Sequence, residues 1–574
     1  MKIPFFATRR NVASQSVPAP MVPEPRTPVE TVMDYHEQTK HHYYRFARSL
    51  GYLDWDNQPN PFRRFDGAPW HQLPLLPLEG TPSYADLFES AETEPQPVTI
   101  QTLSRLFRHS LAISAWKSYG GSRWALRVNP SSGNLHPTEG YAIIDTLESG
   151  VLPAGVYHYA AEDHGLEQRA TISPVTFNNL MQDFPQGTFL VGFTSIHWRE
   201  AWKYGERAFR YCQHDLGHAI AAMRLSASML GWQMVLLEEP ADHEIAILFG
   251  LDRDADFHEA EDEHPHCVAA IIPSTQPVSP DAMLSEDAVK TVASSEWHGI
   301  ANRLSESHVE WTIIEDVARD TLKGRTKISS SQPDARAQPL SPYGPQVSAS
   351  QIIQQRRSAL ALDGRTFISS EVFYHILSRT LPNVTPVPFD VFDRSVLSRP
   401  RIHLAIFVIR VNGLKPGFYM LVRDSEKLPR LQSAMHQRFD WMCPPDCPQY
   451  VPFYHLQTAD VARLAAGVSC GQDIAGDGVF SLGMIAEFEE PLREVGPWLY
   501  PRLFWESGLI GQILYLEAEA AGIRATGIGC FFDDPMHETL GLKDKQFQSL
   551  YHFTMGGPVE DTRLTTDSPY SRKY

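Results

Sequence analysis

A gap-free shift of 291 residues lays one stretch of the chain over another and keeps its glycines in step. Gly205 falls on Gly496, Gly217 on Gly508, Ala227 on Ala518, Gly231 on Gly522, Asp242 on Asp533, and Gly250-Leu251 on Gly541-Leu542. Identity elsewhere is low. Glycine marks places where a backbone turns left-handed or passes close to a neighbour. A glycine pattern held across a long apolar helix, its C-terminal stop and a later loop therefore means the same backbone path twice. GVYHY (155–159) and GFYML (417–421) correspond at a smaller offset. The chain has to fold as two related units from a diverged internal duplication. Its 574 residues exceed what one hydrophobic core holds and suffice for two domains.

Composition shifts divide the chain further. Residues 1–32, rich in Pro, Ser and Thr, read as a disordered arm, and 33–95 as an N-terminal extension with one short helix in DYHEQTKHHYYRFARSLGYLDW (34–55). Residues 96–275 form the first α/β unit, 276–345 a linker with short helical pieces (SEDAVKTVASSEWHGIANRL and EWTIIEDVARDTL), and 346–574 the second unit. IQTLSRLFRHSLAISAW (100–116) reads as a helix, while GYAIIDTL, GTFLVGFTSI and IHLAIFVIRV read as strands. CQHDLGHAIAAMRLSASMLG, stopped by Gly231, and RLFWESGLIGQILYLEAEAAG read as long apolar helices, and FISSEVFYHILSRTL as a helix capped by Ser369 or Ser370. The stretch 425–495, which includes RFDWMCPPDCPQYVPF (438–453), finds no counterpart in the first unit and is expected to form a substrate-selecting lid.

Charge narrows the partners. With 68 acidic against 50 basic residues the formal net charge is -18, which excludes a broad phosphate-binding surface and with it nucleic acid and anionic membranes. A small-molecule or peptide substrate is expected instead. The N-terminal residues lack the apolar core of a signal peptide and no stretch nears 18 uninterrupted apolar residues, so the expected compartment is the cytoplasm. Six cysteines give neither a disulfide framework nor a paired zinc pattern, and Cys443 and Cys447 in CPPDC read as two loop thiols.

His214, Asp215 and His218 in CQHDLGHAIA approach the His-Glu-x-x-His helix of zinc proteases. Under the 291-residue shift they fall on Trp505, Glu506 and Leu509, so the second copy keeps an acid but no ligand pair. Only Glu238 and Glu239 offer a convenient third ligand. The helix is expected to be structural and no metal is expected.

Three stretches carry chemistry. In RVNPSSGNLHPTEGY (127–141), Ser131, Ser132, Gly133 and Asn134 make a tight turn of small hydroxyl and amide groups that a planar polar ligand can approach; alone, the turn serves a helix cap equally well. In QQRRSAL, Arg356, Arg357 and Ser358 can fork a phosphate, although paired arginines are more often a solvated helix face. In GIRATGIGCFFDD, Gly527 and Gly529 let the backbone pass close to a ring. Together these stretches resemble the nitroreductase superfamily of FMN-dependent oxidoreductases. DYHEQTKH, NPSSGNLHP, GVYHY, REAWKYGERAFRY and MGGPVEDTRL resemble more narrowly its SagB-type dehydrogenase branch, over about residues 33–272 and 345–565.

The resemblance implies an α+β fold: two tandem nitroreductase-like α/β/α sandwich domains paired as an intramolecular pseudo-dimer, in a superfamily whose homodimers hold two FMN sites at the subunit interface. Here the copies are complementary. The first has NPSSGN but no RRS, and Glu238 and Glu239 stand where glycines should; the second has RRS and GIG but PNVTPVPFD (382–390) in place of the serine-rich turn. One composite FMN site is implied, from Arg356, Arg357, Ser358, Gly527 and Gly529 of the second copy and Ser131, Ser132 and Asn134 of the first. Arg563 in GGPVEDTR adds a late basic residue for the phosphate, and the mirror site is dead. In this branch a Lys-Tyr pair near the flavin is thought to deprotonate the heterocycle, which falls on Lys203-Tyr204 at the start of a helix. The neighbouring Arg207 and Arg210 and partial burial would lower the lysine's pKa. The implied activity is an FMN-dependent dehydrogenase or oxidase taking hydride and proton from a peptide-derived or small heterocyclic substrate, such as azoline to azole. The alternatives are an NAD(P)H-dependent nitro or quinone reductase and a non-catalytic peptide-binding scaffold.

Overall fold

The computed structural model describes residues 26–88, 93–327 and 347–570. Most of the N-terminal arm (1–25) and the Pro- and Ser-rich part of the linker (328–346) lie outside the described residues. No helix among them is long and apolar enough to cross a membrane.

Each copy is built on an antiparallel sheet with a common core of six strands. In the first copy these are β1 (Thr138–Ile144), β2 (Gly155–Ala160), β3 (Gly165–Thr171), β4 (Phe189–Ser195), β5 (Gln233–Leu237) and β6 (His264–Ile272), in the order β3-β2-β1-β4-β6-β5. Two short strands, Trp70–Gln72 and Glu296–Trp297, extend it beyond β3. The second copy repeats the core with β7 (Ile402–Val408), β8 (Gly417–Leu421), β9 (Phe453–Thr458), β10 (Phe480–Glu487), β11 (Arg524–Ile528) and β12 (Phe547–Gly556), in the order β9-β8-β7-β10-β12-β11. Even the bulges agree: β6 slips against β4 between Pro265 and Cys267, and β12 slips against β10 between Ser549 and Tyr551. The tandem α/β/α architecture is therefore the observed one.

The helices that matter for the site are α1 (Pro28–Gln38), α2 (His197–Tyr204), α3 (Ala208–Ser228), α4 (Asp242–Phe249), α5 (Thr312–Asp320), α6 (Glu489–Val495), α7 (Leu499–Ala520) and α8 (Asp533–Leu540). The 291-residue shift carries α3 onto α7, α4 onto α8, β4 onto β10 and β5 onto β11 with ends agreeing within a residue. All 21 residues of α3 are buried. A helix buried on every side lies inside a core, its polar groups paired there, and α3 lies against α7 along the seam between the copies. Gly217 and Gly508 face each other there: a β-carbon on either would collide with backbone of the partner helix. The largest apolar cluster runs through this seam, joining Trp202, Phe209 and Leu216 of one copy to Tyr500, Leu503 and Trp505 of the other. Two further clusters cover the outer faces of the sheets.

Several expectations are corrected. The N-terminal helix is 28–38 rather than within 34–55: Thr27 and Glu30 form a capping box, Pro28 occupies the first turn, and the chain after Thr39 is largely irregular. The helix expected over 100–116 ends at Arg108; its β-branched and aromatic tail becomes strand Ile113–Tyr119, paired with Ser122–Arg127 and with Thr565–Asp567 from the far end of the chain. Tyr570 fastens that tail, donating to the Ala161 carbonyl. The stretch 438–453 lies on the outer edge of the second sheet, where Met442 bridges His455 of β9 and Asp440 N–H donates to the Leu456 carbonyl, and of the region 425–495 it is Gln472 that reaches the interface cleft. The region without a readable counterpart holds β9 itself, the equivalent of β3.

The structure also extends the repeat. Helix α5, read from the sequence as a linker piece, stands to the first copy as α1 stands to the second. His41 N–H donates to Asp533, while Lys323 N–H donates to Asp242, its mate under the shift. Thr39 and Thr321 each return a hydroxyl to the carbonyl four residues back. The two helices pack on one another.

Candidate functional site

A cleft of about 710 Å³ opens at one end of the seam. Its first-copy wall is the serine-rich turn. Gly133, Asn134 and His136 all have positive φ (60°, 61° and 54°), the mark of a tightly folded backbone. The turn is held from below. Asp215 on α3 accepts from Ser132 N–H (3.0 Å) and from its hydroxyl (3.0 Å). Asn134 is committed to the loop, donating to the Ala125 carbonyl (2.8 Å) and facing His136 Nε2 (3.0 Å), and Ser131 Oγ accepts from His136 N–H (2.8 Å).

The opposite wall belongs to the second copy. The helix Ala349–Gln355 stops just before Arg356, so the paired arginines leave it rather than decorate a solvated face. Arg356 is buried, donates to the Arg127 carbonyl (3.0 Å), and has its Nε and the other terminal nitrogen without protein partners. Burial lowers its pKa from the usual guanidinium value. Arg357 is pushed down to about 10 by burial and then by Arg356. Ser358 bridges Ala525 on β11 and donates to Tyr515 Oη (3.0 Å), which in turn accepts from Gly527 N–H (2.9 Å). The glycines are needed for space: a β-carbon on Gly527 would enter the Tyr551 hydroxyl, and one on Gly529 the Tyr211 ring.

Arg356 and Ser131 thus face one cavity, joined by Ser132, Asn134, Arg357, Ser358, Gly527, Gly529 and Tyr204. Arg563 is not brought there: its side chain is exposed, paired with Asp561 and set over Tyr119. Sequence reasoning missed Lys117 and Arg524 at the rim, the latter ion-paired with Glu560, and the phenols of Tyr211, Tyr515 and Tyr551. Lys117 comes from the strand misread as helix, and Arg524 opens β11.

Lys203 and Tyr204 end helix α2 rather than begin one, and Gly205 follows with φ 53°. Their heads reach the turn: a β-carbon on Gly133 would lie 2.6 Å from Tyr204 Oη and 3.2 Å from Lys203 Nζ. Burial, then the Glu200 charge, raises the Tyr204 pKa well above its usual value. Arg207 and Arg210, expected to act on Lys203, both pair with Asp533 (3.0 and 2.9 Å). Two buried carboxyls sit behind the turn instead. Burial pushes Asp215 up to about 7, and burial followed by Asp215 itself raises Glu200 well above the carboxylate range.

The mirror seam is built differently. Glu238 occupies the position of Gly529 and Arg502 that of Tyr211; the two form a buried ion pair at 2.7 Å where the cleft has ring against glycine. Glu506, the mate of Asp215, binds Arg423 and Arg401 N–H. Glu239 accepts from Leu284 N–H. His214 and His218 face the Leu550 carbonyl and the Gln512 and Tyr551 side chains, so the near-zinc helix is part of the seam's hydrogen bonding.

Residues 94–260 match the Nitroreductase family. The chain carries a nitroreductase-family domain. The tandem nitroreductase-like fold is shared with a crystal structure from Anabaena variabilis assigned to the nitroreductases, at 21% identity and TM-score 0.65 over 92% of this chain and 99% of that one. The trifolitoxin-processing protein TfxB of Rhizobium leguminosarum bv. trifolii is 29% identical over 146 residues, which cover 24% of this chain and 39% of that protein. The Escherichia coli microcin synthetase McbBCD complex aligns at 17% identity and TM-score 0.27 over 43% of this chain and 94% of that one.

Proposed function

We propose that the chain is an FMN-dependent oxidoreductase of the SagB type with one composite site, acting on a peptide-derived or small heterocyclic substrate. The observation that carries this reading is the complementary decay of the two seams. One keeps a cleft between Arg356-Arg357 and the serine-rich turn, while the other is closed by Glu238 and Arg502. The donor set fits a flavin mononucleotide. Two nitrogens of a buried arginine that are unpartnered among the described residues, with Arg357 and Lys117 nearby, suit a phosphate dianion, and the cleft between them and the serine-rich turn has the volume for a flat ring. FMN, when bound, would supply the two-electron chemistry.

The chain's own residues do the rest. Arg356 and Arg357 would hold the phosphate, and the Ser131–Asn134 turn, stiffened by Asp215, would line the ring's polar edge. Lys203 and Tyr204 sit beside that turn, where Lys203 Nζ would take the substrate proton and Tyr204 Oη would orient the reacting carbon. The similarity to a trifolitoxin-processing protein supports a peptide-derived substrate.

The test is the flavin released from purified protein. One FMN per chain is expected, and a ratio near two overturns the composite site. Lys203→Ala is expected to keep the flavin and lose turnover; unchanged turnover removes the lysine from the mechanism. Anaerobic mixing with NADPH adds a discriminator, since rapid bleaching of the yellow band would favour a nicotinamide-driven reductase.

A further inference from the structure

The seam that lost its cleft has gained something else. His197 at the start of α2, His264 on β6 and Glu315 on α5 bring one ligand atom each to within 4.8 Å of one another. The rings of His197 and His264 stack with centroids 4.0 Å apart. His197 is 4% exposed, and among the described residues both its ring nitrogens lack a hydrogen-bond partner, as does His266 Nε2 close by. A buried imidazole with no partner at either nitrogen costs about 1–3 kcal/mol per unmet group, so the arrangement is unfavourable unless something else fills it. A cavity of about 30 Å³ borders His197, His264 and His266, room for one ion or one water.

The duplication supplies a control. The 291-residue shift puts Phe488 where His197 stands. The strand register equates Gln548 with His264, because Ser195 pairs His264 as Ala486 pairs Gln548. The correspondence of α1 with α5 equates Met33 with Glu315. One seam has Met, Phe and Gln at the three positions, and the other has Glu, His and His. Three changes toward ligand chemistry at adjoining places, with no hydrogen bonds at His197 to explain them, need a common cause.

We propose that His197, His264 and Glu315 bind a divalent transition-metal ion of the zinc class, which fastens α5 to the first copy at the closed seam. Two imidazole nitrogens and one carboxylate oxygen suit zinc or cobalt, with water completing a tetrahedron. Ligand atoms around such an ion lie about 3.3 Å apart, so the three groups close by about 1.5 Å on binding, within reach of side-chain rotation. Asp262, Glu310 and Asp316 lie around Glu315 and favour a cation there, while Arg502, which also borders the small cavity, is ion-paired with Glu238. The ion would tie the start of α2, the helix that ends in Lys203 and Tyr204, to the segment leading into the second copy. The inference does not depend on the flavin reading.

The test uses tag-free full-length protein, stripped with a chelator and reloaded with zinc or cobalt alone. One metal per chain surviving gel filtration at micromolar free zinc is expected, together with visible cobalt bands of a four-coordinate site. His197→Phe, His264→Gln and Glu315→Met each install the residue that the other seam tolerates, and each is expected to weaken zinc binding more than about tenfold. Wild-type protein that retains no zinc, or affinity unchanged in His197→Phe, overturns the proposal. If the variants do not fold, X-ray absorption on the zinc-loaded wild-type protein decides it: two imidazoles and a carboxylate support the site, and any other ligand set refutes it.

Discussion

At Asp215 a single carboxyl links the stability of the fold to the shape of the site. Burial holds its pKa up to about 7 against an ordinary value of 3.8, although Ser132 hydrogen-bonds it. Between those values the folded chain keeps a proton that the unfolded chain has released. This group's contribution to stability therefore falls with rising pH, by up to about 1.4 kcal/mol per unit, and levels off above about pH 7. Denaturant titrations of wild type and Asp215→Asn should diverge accordingly: the variant gains on wild type from pH 4 to 7 and keeps pace above it. Parallel curves would mean that the carboxyl is not held protonated. Arg356→Met should lower FMN affinity about 10–150-fold in a fluorescence titration, the worth of one or two charge-assisted bonds, with little loss of fold. Most residues that the sequence marked line one cleft, because their types were chosen by chemistry at short range; Arg563 lies outside it, and Lys203 reaches only the turn at its edge. What it did not give was their division of labour. Ser132 and Asn134 spend their side chains on Asp215 and the loop, and Lys117, Arg524 and three tyrosines arrive from distant strands and helices that no local motif announces.

Among elements, the crossing of α3 and α7 tolerates least change. Gly217 and Gly508 touch, so Gly508→Ala would press a methyl group against the His214 carbonyl, where backbone on both sides leaves no flexible atom to yield. Overpacking of this kind costs about 1–3 kcal/mol, and the helices that would have to part carry the largest apolar cluster. A lowered melting temperature with normal secondary structure by circular dichroism is the expected result for Gly508→Ala. Gly467, with open space around its missing β-carbon, serves as a neutral comparison. These helices were legible because glycine spacing and apolar run length are local signals. The equivalence of α5 with α1 was not: their offset differs from 291, and little sequence beyond Asp34 with Asp316 and Thr39 with Thr321 survives to show it. The 100–116 segment misled for a related reason. Its periodicity is helical to Arg108, but the strand that follows is held by the hairpin with Ser122–Arg127 and by residues 565–567, more than four hundred positions away.

Across the whole molecule, asymmetry is the point of the duplication. A symmetric pair would hold two equal clefts, and here one seam has exchanged ring-against-glycine for the buried pair Glu238–Arg502. Removing one partner of such a pair strands the other charge, so Glu238→Gln is expected to cost about 3–5 kcal/mol with the flavin content unchanged. The double substitution Glu238→Gly with Arg502→Tyr copies the open seam's residues and strands no charge. It should recover much of that stability and still release one FMN per chain. The reason is that the closed seam lacks a serine-rich turn, having PNVTPVPFD instead, and its acid Glu506 is already bound to Arg423 and Arg401. A second equivalent of flavin in the double variant would mean that one ion pair alone shuts the seam and that the rest of the mirror site survives. A single equivalent would show that closure is distributed over turn, acid and ion pair, of which the turn and the ion pair bridge the two copies through Arg224–Asp390 and Glu238–Arg502.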